Sequence, residues 1–553
     1  MKFVRRLSGK FSRLALALVM VLAILFSSFP APTSAAVSSD FKVYVMAPLE
    51  QITDWTAFTN RLVTLKNNGV YGITTDVWWG YVEYSADQTF DWSYYINYAN
   101  AVRSSGLKWI PIMSTHACGG NVGDNVNIPI PSWLWNKDTA ENMKFKDEAN
   151  NFDIQALSPW YSGLTTQYDQ LYASFASNFS GYTDIITKIY LSGGPSGEVR
   201  YPSYNTGHGW SYPGRGYLEC FSTAAKTSFR NAMQTKYVTI SALNTAWGTN
   251  LTSFSQISPP TNGDSFFTTS SVTSNYGKDF LTWYQGCLTA SLASIATAAH
   301  NRFDSVFGVT IGAKVSGVHW QYSNPTYPHE AEYCAGYYNY STLLDQFKTS
   351  NLALTFTCLE MTDSNSNPNY SMPSTLVNTV AGLANAKEIV INGENALSIS
   401  NNNQAYVNCA SKLTSYAFSG FTLLRLANLV NTDASATSEM SPFVSNIVSL
   451  TPTNLIPVTF TINNATTNWG QNVYIAGSIS QLGNWSPGSA IGPASCPNYP
   501  TWTITINLPA GTAIQFKAIK KDGSGNVTWE GGSNHTYIVP SSGTGSVTFT
   551  WQS

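Results

Sequence analysis

The sequence has few charged residues and no long run of one sign. Lys, Arg, Asp and Glu make up 11% of the 553 residues, and the formal net charge is −2. An average soluble protein has roughly 25% charged residues. A chain without basic clusters lacks the electrostatic surface that attracts nucleic acids and anionic membranes. We therefore expect neither of them to be its main partner.

Cysteine is also scarce, and its spacing does not suit metal binding. The seven cysteines lie at positions 118, 220, 287, 334, 358, 409 and 496, without a CxxC pair. An odd number leaves at least one thiol unpaired, and we expect most of them to be buried as small apolar residues. No GxSxG motif occurs, which disfavours an esterase nucleophile.

Only the N-terminus carries a long hydrophobic run. Basic residues between Lys2 and Arg13 precede the apolar segment 14–26, and small residues follow at 31–36. This order is typical of a secretory signal peptide, and the apolar segment is shorter than the ~20 residues that span a bilayer. We expect residues 1–36 to be removed and the mature protein to be secreted as a monomer with no membrane attachment.

Eight short apolar runs alternate with longer amphipathic stretches in the next part of the chain. The runs are 42–48, 72–77, 107–113, 185–191, 309–315, 352–357, 388–392 and 420–424. Eight buried strands separated by helical segments predict an α/β fold, a (β/α)8 TIM barrel rather than an open sheet. The intervals after the third and fourth runs are long and rich in Gly, Pro, Tyr and Asn, so we expect excursion loops there.

The pattern changes near Thr451. From residue 458 to 553, short strand-like runs are separated by turns of Gly, Asn and Pro. They predict a small all-β sandwich, joined by a linker at 451–457 to a barrel over 37–450. Its tryptophans suit a binding module, although some of them must fill the core: Trp485, Trp502, Trp529 and Trp551.

Polar residues stand at or shortly after the ends of seven predicted strands. They are Asp76, His116, Glu198, Lys314, Thr357, Glu394 and Arg425. Active sites of such barrels lie at the carboxyl ends of the strands. Any one of these residues could be a hydrogen-bonded strand terminus, but seven from different strands favour a shared pocket.

Two glutamates lie in glycine-containing segments that follow strands. Glu198 belongs to LSGGPSGEVRYPSY (191–204) and Glu394 to IVINGENALSI (389–399). Glycosidic bond cleavage needs one carboxylic acid to protonate the leaving oxygen and a second carboxylate to activate water or attack the sugar. Most glutamates are merely solvated, so each signal is weak alone; together they predict a glycoside hydrolase.

The segment STHACGGNVGDNVNIPIPSW (114–133) is rich in glycine but lacks the spacing of a phosphate-binding loop. We interpret it as a mobile lid with Asp124 at its tip. His116 has no second His or Cys at metal-ligand spacing, so a hydrogen bond to a sugar hydroxyl is the favoured role.

Several long segments resemble bacterial β-amylases that carry a C-terminal starch-binding module. Besides the segments above they are DVWWG (76–80), GVHWQY (317–322), FTCLEM (356–361) and GENAL (393–397). The resemblance implies exo-acting, inverting hydrolysis of α-1,4-glucans such as starch, with β-maltose released from non-reducing ends. Glu198 matches the general acid and Glu394 the base that activates water, and their carboxyls would lie ~6.5–9.5 Å apart.

The same resemblance implies further site residues. The sugar-binding positions would be Asp76, His116, Asp124, Lys314, His319, Thr357, Asn395, Ala396 and Arg425. GNW (483–485) and WEGGSNH (529–535) resemble the starch-binding motif, with Trp485 and Trp529 as the stacking pair and Lys517, Glu530 and Asn534 as polar neighbours.

A structural calcium ion is also implied by the resemblance. Glu83 and Asp87 match ligands of some bacterial relatives, whereas Gln167 and Gln170 stand where acidic residues are expected. Amide oxygens can bind Ca²⁺, but the loss of two negative charges weakens such a site.

Two alternatives remain open at this point. A retaining glucanase or transglycosylase would use a similar barrel with carboxyls ~5–5.5 Å apart and a covalent glycosyl-enzyme. A non-catalytic starch-binding protein would adsorb starch without releasing maltose.

Overall fold

The computed structural model describes residues 36–119, 124–452 and 455–553. The chain divides into two compact units, Met1–Thr451 and Pro452–Ser553. The predicted signal peptide, apart from Ala36, and residues 120–123 of the predicted lid lie outside the described residues. Within the described part of the chain, no helix has the length and apolar content needed to cross a membrane.

Eight parallel strands close into a barrel in the first unit, and each strand pairs with its neighbours in chain order. This confirms the predicted (β/α)8 barrel. The strands are β1 Lys42–Met46, β2 Gly72–Trp78, β3 Lys108–Ser114, β4 Lys188–Leu191, β5 Thr310–Val315, β6 Ala353–Phe356, β7 Ile391–Glu394 and β8 Gly420–Leu423.

Alternate side chains of the strands belong to two different buried clusters. Tyr44, Met46, Ile110, Ile112 and Tyr190 form one buried cluster, while the intervening Val43 and Val45 belong to the large core. Successive side chains of a strand point to opposite faces. The barrel interior is therefore a packed core, and the room for a ligand lies at its mouth.

The helices of the first unit begin at residues that suit helix starts. Asp54, Ser222 and Ser274 each accept a hydrogen bond from a backbone N–H in the first turn of the following helix. The longer helices are Trp55–Asn67, Ser93–Ser105, Leu164–Phe179, Thr223–Tyr237, Ile240–Trp247, Asn275–Phe307, Tyr340–Thr349, Pro373–Ala386, Asn403–Ser415 and Met440–Asn446.

Two strands begin three residues later than the sequence predicts. The run at 388–392 becomes a strand only from Ile391, because Lys387, Glu388 and Ile389 close hydrogen-bonded turns at the end of the preceding helix. As a result Glu394 is the last residue of β7 rather than a residue after it. Similarly, β4 begins at Lys188, three residues later than predicted.

Long excursions follow β3 and β4, as predicted. They contain a two-stranded ribbon, Phe145–Lys146 with Phe152–Asp153, and the 33-residue helix Asn275–Phe307. A buried carboxyl, Glu219, lies in the second excursion, and neither of its oxygens has a hydrogen-bond partner among the described residues. Burial raises the pKa of Glu219 well above its usual value, and the negative charges of Asp153, Asp147 and Glu148 add to this.

Replacing Glu219 with Gln should raise the free energy of unfolding relative to the parent, and this gain should grow as the pH rises. The folded state keeps the proton of Glu219, whereas the unfolded chain releases it above about pH 4.3. Folding then takes up a proton, so Glu219 lowers the free energy of unfolding as the pH rises above that value. We expect the Tm difference between Glu219→Gln and the parent to grow from pH 5 to pH 8.

Glu388→Gln is the control for this experiment, because the Glu388 side chain is 88% exposed. Its Tm difference from the parent should stay nearly flat over the same pH range. A Glu219→Gln difference that does not change with pH would contradict the prediction.

The second unit is a sandwich of two antiparallel-rich sheets. One sheet has the order Ser495–Asn498, Thr501–Pro509, Leu455–Asn463 and Gly545–Thr550; the other joins Asn472–Gly477, Ala513–Lys521 and Val527–Trp529, with His535–Ile538 also paired to Ala513–Lys521. Trp502 is buried in its core. The all-β prediction is confirmed.

All seven cysteines are free thiols, and five of them are buried. This agrees with the expectation that most act as small apolar residues. Burial raises the pKa of Cys118 and of Cys287 to about 12.

Candidate active site

Glu394 and Lys314 form a buried ion pair at the mouth of the barrel. The Lys314 Nζ lies 2.8 Å from Oε1 of Glu394 and donates a hydrogen bond of 3.0 Å to Oε2. Burial raises the pKa of Glu394, and the charge of Glu198 raises it further, while Lys314 opposes both. The two glutamates are therefore close enough to interact electrostatically at the mouth of the barrel.

Glu198 is brought to the mouth of the barrel by backbone pairing. Its segment makes a parallel bridge with Lys314, and the Val199 N–H donates to the Lys314 carbonyl at 2.8 Å. Gly194 allows the tight turn before it, because a Cβ at Gly194 would lie 2.4 Å from the Arg200 carbonyl oxygen. The glycine-rich motif thus extends the line of β4 and aligns Glu198 with β5.

Arg200 fixes the carboxyl of Glu198. Its Nε donates to Oε2 of Glu198 at 2.7 Å, and its other nitrogens donate to the Tyr201 carbonyl and the Ser196 hydroxyl. The guanidinium lies 3.9 Å from the centre of the Tyr204 ring, and the Tyr204 hydroxyl lies 3.4 Å from the same Oε2. Arg200 is buried, so this contact is screened little by solvent.

Asp76 lies in β2, and His116 lies two residues after the end of β3. The His116 Nδ1 lies 2.9 Å from the Ser192 hydroxyl, and the Ser114 hydroxyl donates to Asp76 at 2.7 Å. Burial, assisted by Lys314, lowers the pKa of His116 to about 3. The imidazole is therefore neutral near pH 7 and can exchange hydrogen bonds with a sugar hydroxyl.

The base of the predicted lid is held by hydrogen bonds. Cys118 and Ile128 exchange two backbone bonds of 2.9 and 3.0 Å, and the Gly119 N–H donates to Asp124 at 2.8 Å. Gly80, from the DVWWG segment, allows this loop to pack closely, since a Cβ there would lie 1.9 Å from the Pro129 carbonyl oxygen. The negative charge of Asp124 lies close enough to His116 to raise its pKa, against the larger effect of burial.

The remaining positions follow the fifth, sixth and eighth strands of the barrel. His319 Nδ1 lies 2.9 Å from the Ser371 hydroxyl, and burial lowers the pKa of His319 to about 4. Thr357 follows β6 directly and is partly exposed. The Arg425 guanidinium donates to the Ala47 carbonyl at 3.2 Å, and its charge helps to lower the pKa of Glu394.

Asn395 and Ala396 have protein partners of their own. The Asn395 side chain is buried and bonds to the backbone of Leu397 and Leu424. The Ala396 N–H donates to the carboxylate of Glu360. The Asn395 side chain therefore stabilises the loop after Glu394. Ala396 is exposed, so its surface is accessible to a ligand.

Glu360 and an aromatic cluster are two features that the sequence did not single out. Glu360 is buried and accepts the N–H groups of Ala396 and Leu397, so it holds the segment after Glu394. Its position inside FTCLEM was the only signal. The cluster contains Tyr204, Trp210 and Trp320, whose ring centres are 5.2–5.7 Å apart, and gives the Glu198 side an apolar wall.

The second unit has a close pair of tryptophans, of which one is exposed and the other partly exposed. The ring centres of Trp485 and Trp529 are 6.3 Å apart, and Trp529 is 37% exposed. Lys517 donates to the carbonyls of Glu530, Gly531 and Gly532. The buried Glu530 accepts from the Ala518 N–H at 2.7 Å. These two residues therefore hold the loop next to Trp529, while Asn534 is exposed and bonds to Gln515.

A further exposed aromatic, Trp469, was missed at the sequence level. Its relative exposure is 105%, and Tyr499, at 60%, bonds through its hydroxyl to the backbone of the nearby Thr467. The position of Trp469 in a turn between strands was the available signal.

The four residues implied as calcium ligands have mixed surroundings. The side-chain oxygens Asp87 Oδ1, Gln167 Oε1 and Gln170 Oε1 are buried without a hydrogen-bond partner among the described residues. Glu83 accepts from the Trp79 indole and the Gln88 N–H, and Lys137 forms an ion pair with Asp87. Within the described chain, no cluster of three or more His, Cys, Asp or Glu residues could hold a metal. Unpaired oxygen atoms suit a hard cation. Lys137, however, would compete with that cation for the carboxylate of Asp87.

A (β/α)8 barrel whose mouth holds two interacting glutamates, a buried lysine and neutral histidines defines a glycoside hydrolase. The chain belongs to glycosyl hydrolase family 14, which matches residues 44–452, and residues 455–549 match the starch binding domain family. The resemblance inferred from the sequence is confirmed.

Individual relatives agree with this assignment. The chain is 69% identical over 549 residues to a thermophilic beta-amylase of Thermoanaerobacterium thermosulfurigenes, covering 98% of this chain and 100% of that one. It is 44% identical to a beta-amylase of Bacillus cereus, covering 93% and 94%. The crystal structure of the catalytic domain of beta-amylase from Paenibacillus polymyxa matches with a TM-score of 0.73 and 58% identity, covering 75% of this chain and 99% of that one.

Proposed function

We propose that the barrel hydrolyses α-1,4-glucosidic bonds of starch and related glucans and releases β-maltose from non-reducing ends with inversion. The observation that carries this proposal is the pair of interacting glutamates, each held by its own cation: Glu394 by Lys314 and Glu198 by Arg200. Family membership supports the same reaction.

In the proposed reaction, Glu198 gives its proton to the glucosidic oxygen as the bond from that oxygen to the anomeric carbon breaks. A water molecule attacks the anomeric carbon from the opposite face, and Glu394 accepts the proton that this water loses. Lys314 holds Glu394 in place and offsets its charge. The cycle closes when Glu394 releases its proton to solvent and Glu198 takes one up.

The sugar-binding roles follow from side chains with hydrogen-bonding capacity at the mouth. Asp76, the neutral His116 and His319, Thr357 and Arg425 all have groups that can exchange hydrogen bonds with sugar hydroxyls. Asp124 would reach the sugar from the lid, and Ala396 would contact it through its exposed surface. For Asn395 we propose a supporting role through its backbone contacts.

The anomeric form of the first product tests the proposal. Proton NMR during the first minutes of soluble-starch digestion should detect β-maltose before mutarotation. Early α-maltose would instead indicate a retaining enzyme, and a spread of longer oligosaccharides would indicate internal cleavage. Either result would overturn the proposal.

The second unit is proposed to bind starch granules through Trp485 and Trp529. The match to the starch binding domain family supports this, as does the close pair of accessible tryptophans. Lys517 and Glu530 would keep the Trp529 loop in place, and Asn534 would offer an amide to sugar hydroxyls.

Removing either tryptophan of the pair should weaken adsorption to granular starch. One stacked aromatic contributes on the order of 1 kcal/mol, so we expect a drop of about fivefold for Trp485→Ala or Trp529→Ala. Adsorption isotherms measure this, and hydrolysis of maltotetraose in the same variants should be unchanged. The control is Val527→Ala, which removes an exposed neighbour of Trp529 without removing a ring.

We also propose that the barrel holds one structural calcium ion, with Asp87, Gln167 and Gln170 providing oxygens and Glu83 adding negative charge nearby. The ion would cross-link the segment after β2 to the helix Leu164–Phe179. Lys137 on Asp87 and the two neutral amides make the site weak.

Chelation should therefore lower the Tm of the barrel slightly, by about 2 °C. The variant Gln167→Glu Gln170→Glu restores two charges and should widen the Tm difference between calcium and chelator. Calorimetry in about 5 mM Ca²⁺ or in about 5 mM EDTA measures the Tm of both proteins. Identical melting in calcium and chelator for both proteins would contradict the calcium proposal.

Export completes the proposed function. The basic, apolar and small-residue segments of positions 1–36 support removal of a signal peptide, and a granule-binding module suits an extracellular substrate. We propose that the mature chain acts outside the cell as a monomer.

A further inference from the structure

A groove lined by tyrosines lies beside the loops that follow β1 and β2. It has a volume of about 360 Å³, and its lining includes Tyr81, Tyr84, Tyr94 and Tyr95, with Gln51, Asp91 and Ser93 among the polar residues. Tyr84 is 62% exposed. The volume falls at the low end of small-molecule sites, which span about 300–1,000 Å³.

The tyrosines are held in position by the barrel. The Tyr94 hydroxyl accepts from the Ile52 N–H at 2.9 Å, and its ring meets that of Tyr95 edge-on at 5.0 Å. The Tyr95 hydroxyl donates to the Asp76 carbonyl and accepts from the Trp78 N–H. The groove wall is therefore a fixed surface that is tied to the backbone of a proposed sugar-binding residue.

The chemistry of the lining selects a neutral ligand rich in hydroxyls. Aromatic rings match the apolar C–H faces of sugars, while Gln51, Asp91 and Ser93 offer an amide, a carboxylate and a hydroxyl at the edge. The lining has one acidic residue and no Lys, Arg or His, so it does not suit phosphates or nucleic acids. Asp91 accepts from the Ser93 N–H at 2.9 Å, which orients its carboxylate.

The groove also adjoins a smaller cavity that is lined by Asp76, a proposed sugar-binding residue. Gln51, Tyr81, Tyr94 and Tyr95 line both the groove and a smaller cavity that contains Asp76. If Asp76 binds sugar as proposed, another part of the same glucan chain, or a neighbouring branch, would lie near the tyrosines.

We propose that this tyrosine groove is a second carbohydrate-binding site of the barrel, which holds a short α-1,4-glucan segment outside the catalytic pocket. The proposal rests on the proposed function for its substrate class. It would retain a branched substrate near the catalytic glutamates after each maltose leaves, without any contact to the bond being cleaved.

The test uses the full chain carrying Glu394→Gln, Trp469→Ala, Trp485→Ala and Trp529→Ala, which removes hydrolysis and the exposed tryptophans of the second unit. In native gels containing amylopectin, this parent should be retarded. Adding Tyr84→Ala should reduce the retardation about threefold or more, whereas Tyr84→Phe, which keeps the ring, should leave it nearly unchanged. Tyr84 is largely exposed, so neither change empties the core.

Kinetics of the otherwise unmodified enzyme complete the test. Tyr84→Ala should raise the KM for amylopectin and leave kcat/KM for maltotetraose unchanged. Equal retardation of the parent and its Tyr84→Ala derivative would overturn the groove proposal, as would an equal loss on both substrates, which would assign Tyr84 to the catalytic cleft. If the unmodified enzyme releases β-maltose but the parent is not retarded, the groove proposal alone fails; absence of β-maltose refutes the proposed function itself.

Discussion

Replacing Glu394 with Gln should lower the rate of maltose release by about 10³- to 10⁴-fold. The amide has nearly the shape of the carboxylate but cannot take a proton from the attacking water. Lys314 would keep a hydrogen-bond acceptor in the amide oxygen, so the fold and the binding of substrate should change little. Initial rates on maltoheptaose, with Tm and KM measured in parallel, separate the chemical loss from a loss of stability or binding.

A substrate with a good leaving group sharpens this result. α-Maltosyl fluoride does not need protonation of its leaving group, but it still needs an activated water. Glu394→Gln should therefore be as inactive on the fluoride as on the glucan. Glu388→Gln, at an exposed position, is the matched control and should keep full activity. A Glu394→Gln enzyme with more than a tenth of parental activity on maltoheptaose would exclude Glu394 as the base.

Glu198→Gln should have the opposite selectivity. Loss of the proton donor should reduce hydrolysis of maltoheptaose by about 10²- to 10⁴-fold, because a glucosyl alkoxide leaves poorly without a proton. Hydrolysis of α-maltosyl fluoride should stay within about tenfold of the parent, since fluoride leaves as an anion. Arg200 would still contact the amide oxygen and hold the side chain in place.

The comparison of the two substrates assigns the two roles independently. If Glu198→Gln loses both activities to the same extent, Glu198 is not the proton donor. The same pair of measurements on Arg200→Lys should give a smaller loss on maltoheptaose than Glu198→Gln does, because lysine retains the charge near Glu198 but not the forked contacts to Tyr201 and Ser196.

The barrel was predictable because each strand can be recognised from a short segment of the sequence. Each strand is a short continuous apolar run, buried against helices outside and against side chains inside, so a run such as 42–48 indicates β1 without knowledge of its neighbours. The bounds of a strand depend more on neighbouring segments of the chain. The start of β7 depends on how the helix Pro373–Ala386 ends, and this shifts the strand toward Glu394.

The site was predictable only at the level of positions. Motifs placed Glu198 and Lys314 near the mouth, but their alignment depends on backbone pairing between residues that are distant in sequence. The same holds for Glu360, whose carboxylate reaches the N–H of Ala396 across two loops. Residues such as Asn395 match a family motif, yet their hydrogen bonds in the folded chain decide which atoms can meet a sugar.

Buried ionisable groups were the least predictable feature. Glu219 lies in the short apolar segment YLECF (217–221), but its isolation from hydrogen-bond donors appears only when the second excursion folds against the ribbon strand Phe145–Lys146. The apolar neighbours indicate burial, but they do not show whether a hydrogen-bond donor meets the carboxyl, because that depends on distant segments of the chain.

The free cysteines have a practical consequence for how the protein can be made. Since its cross-links are entirely noncovalent, folding requires no oxidase and no disulfide isomerase, and a reducing cytosol should yield the same barrel and sandwich as an oxidising exterior. Burial also keeps thiols such as Cys220 and Cys358 protonated, because it raises the pKa of each well above its usual value. The five buried thiols should therefore exchange little with thiols of other molecules.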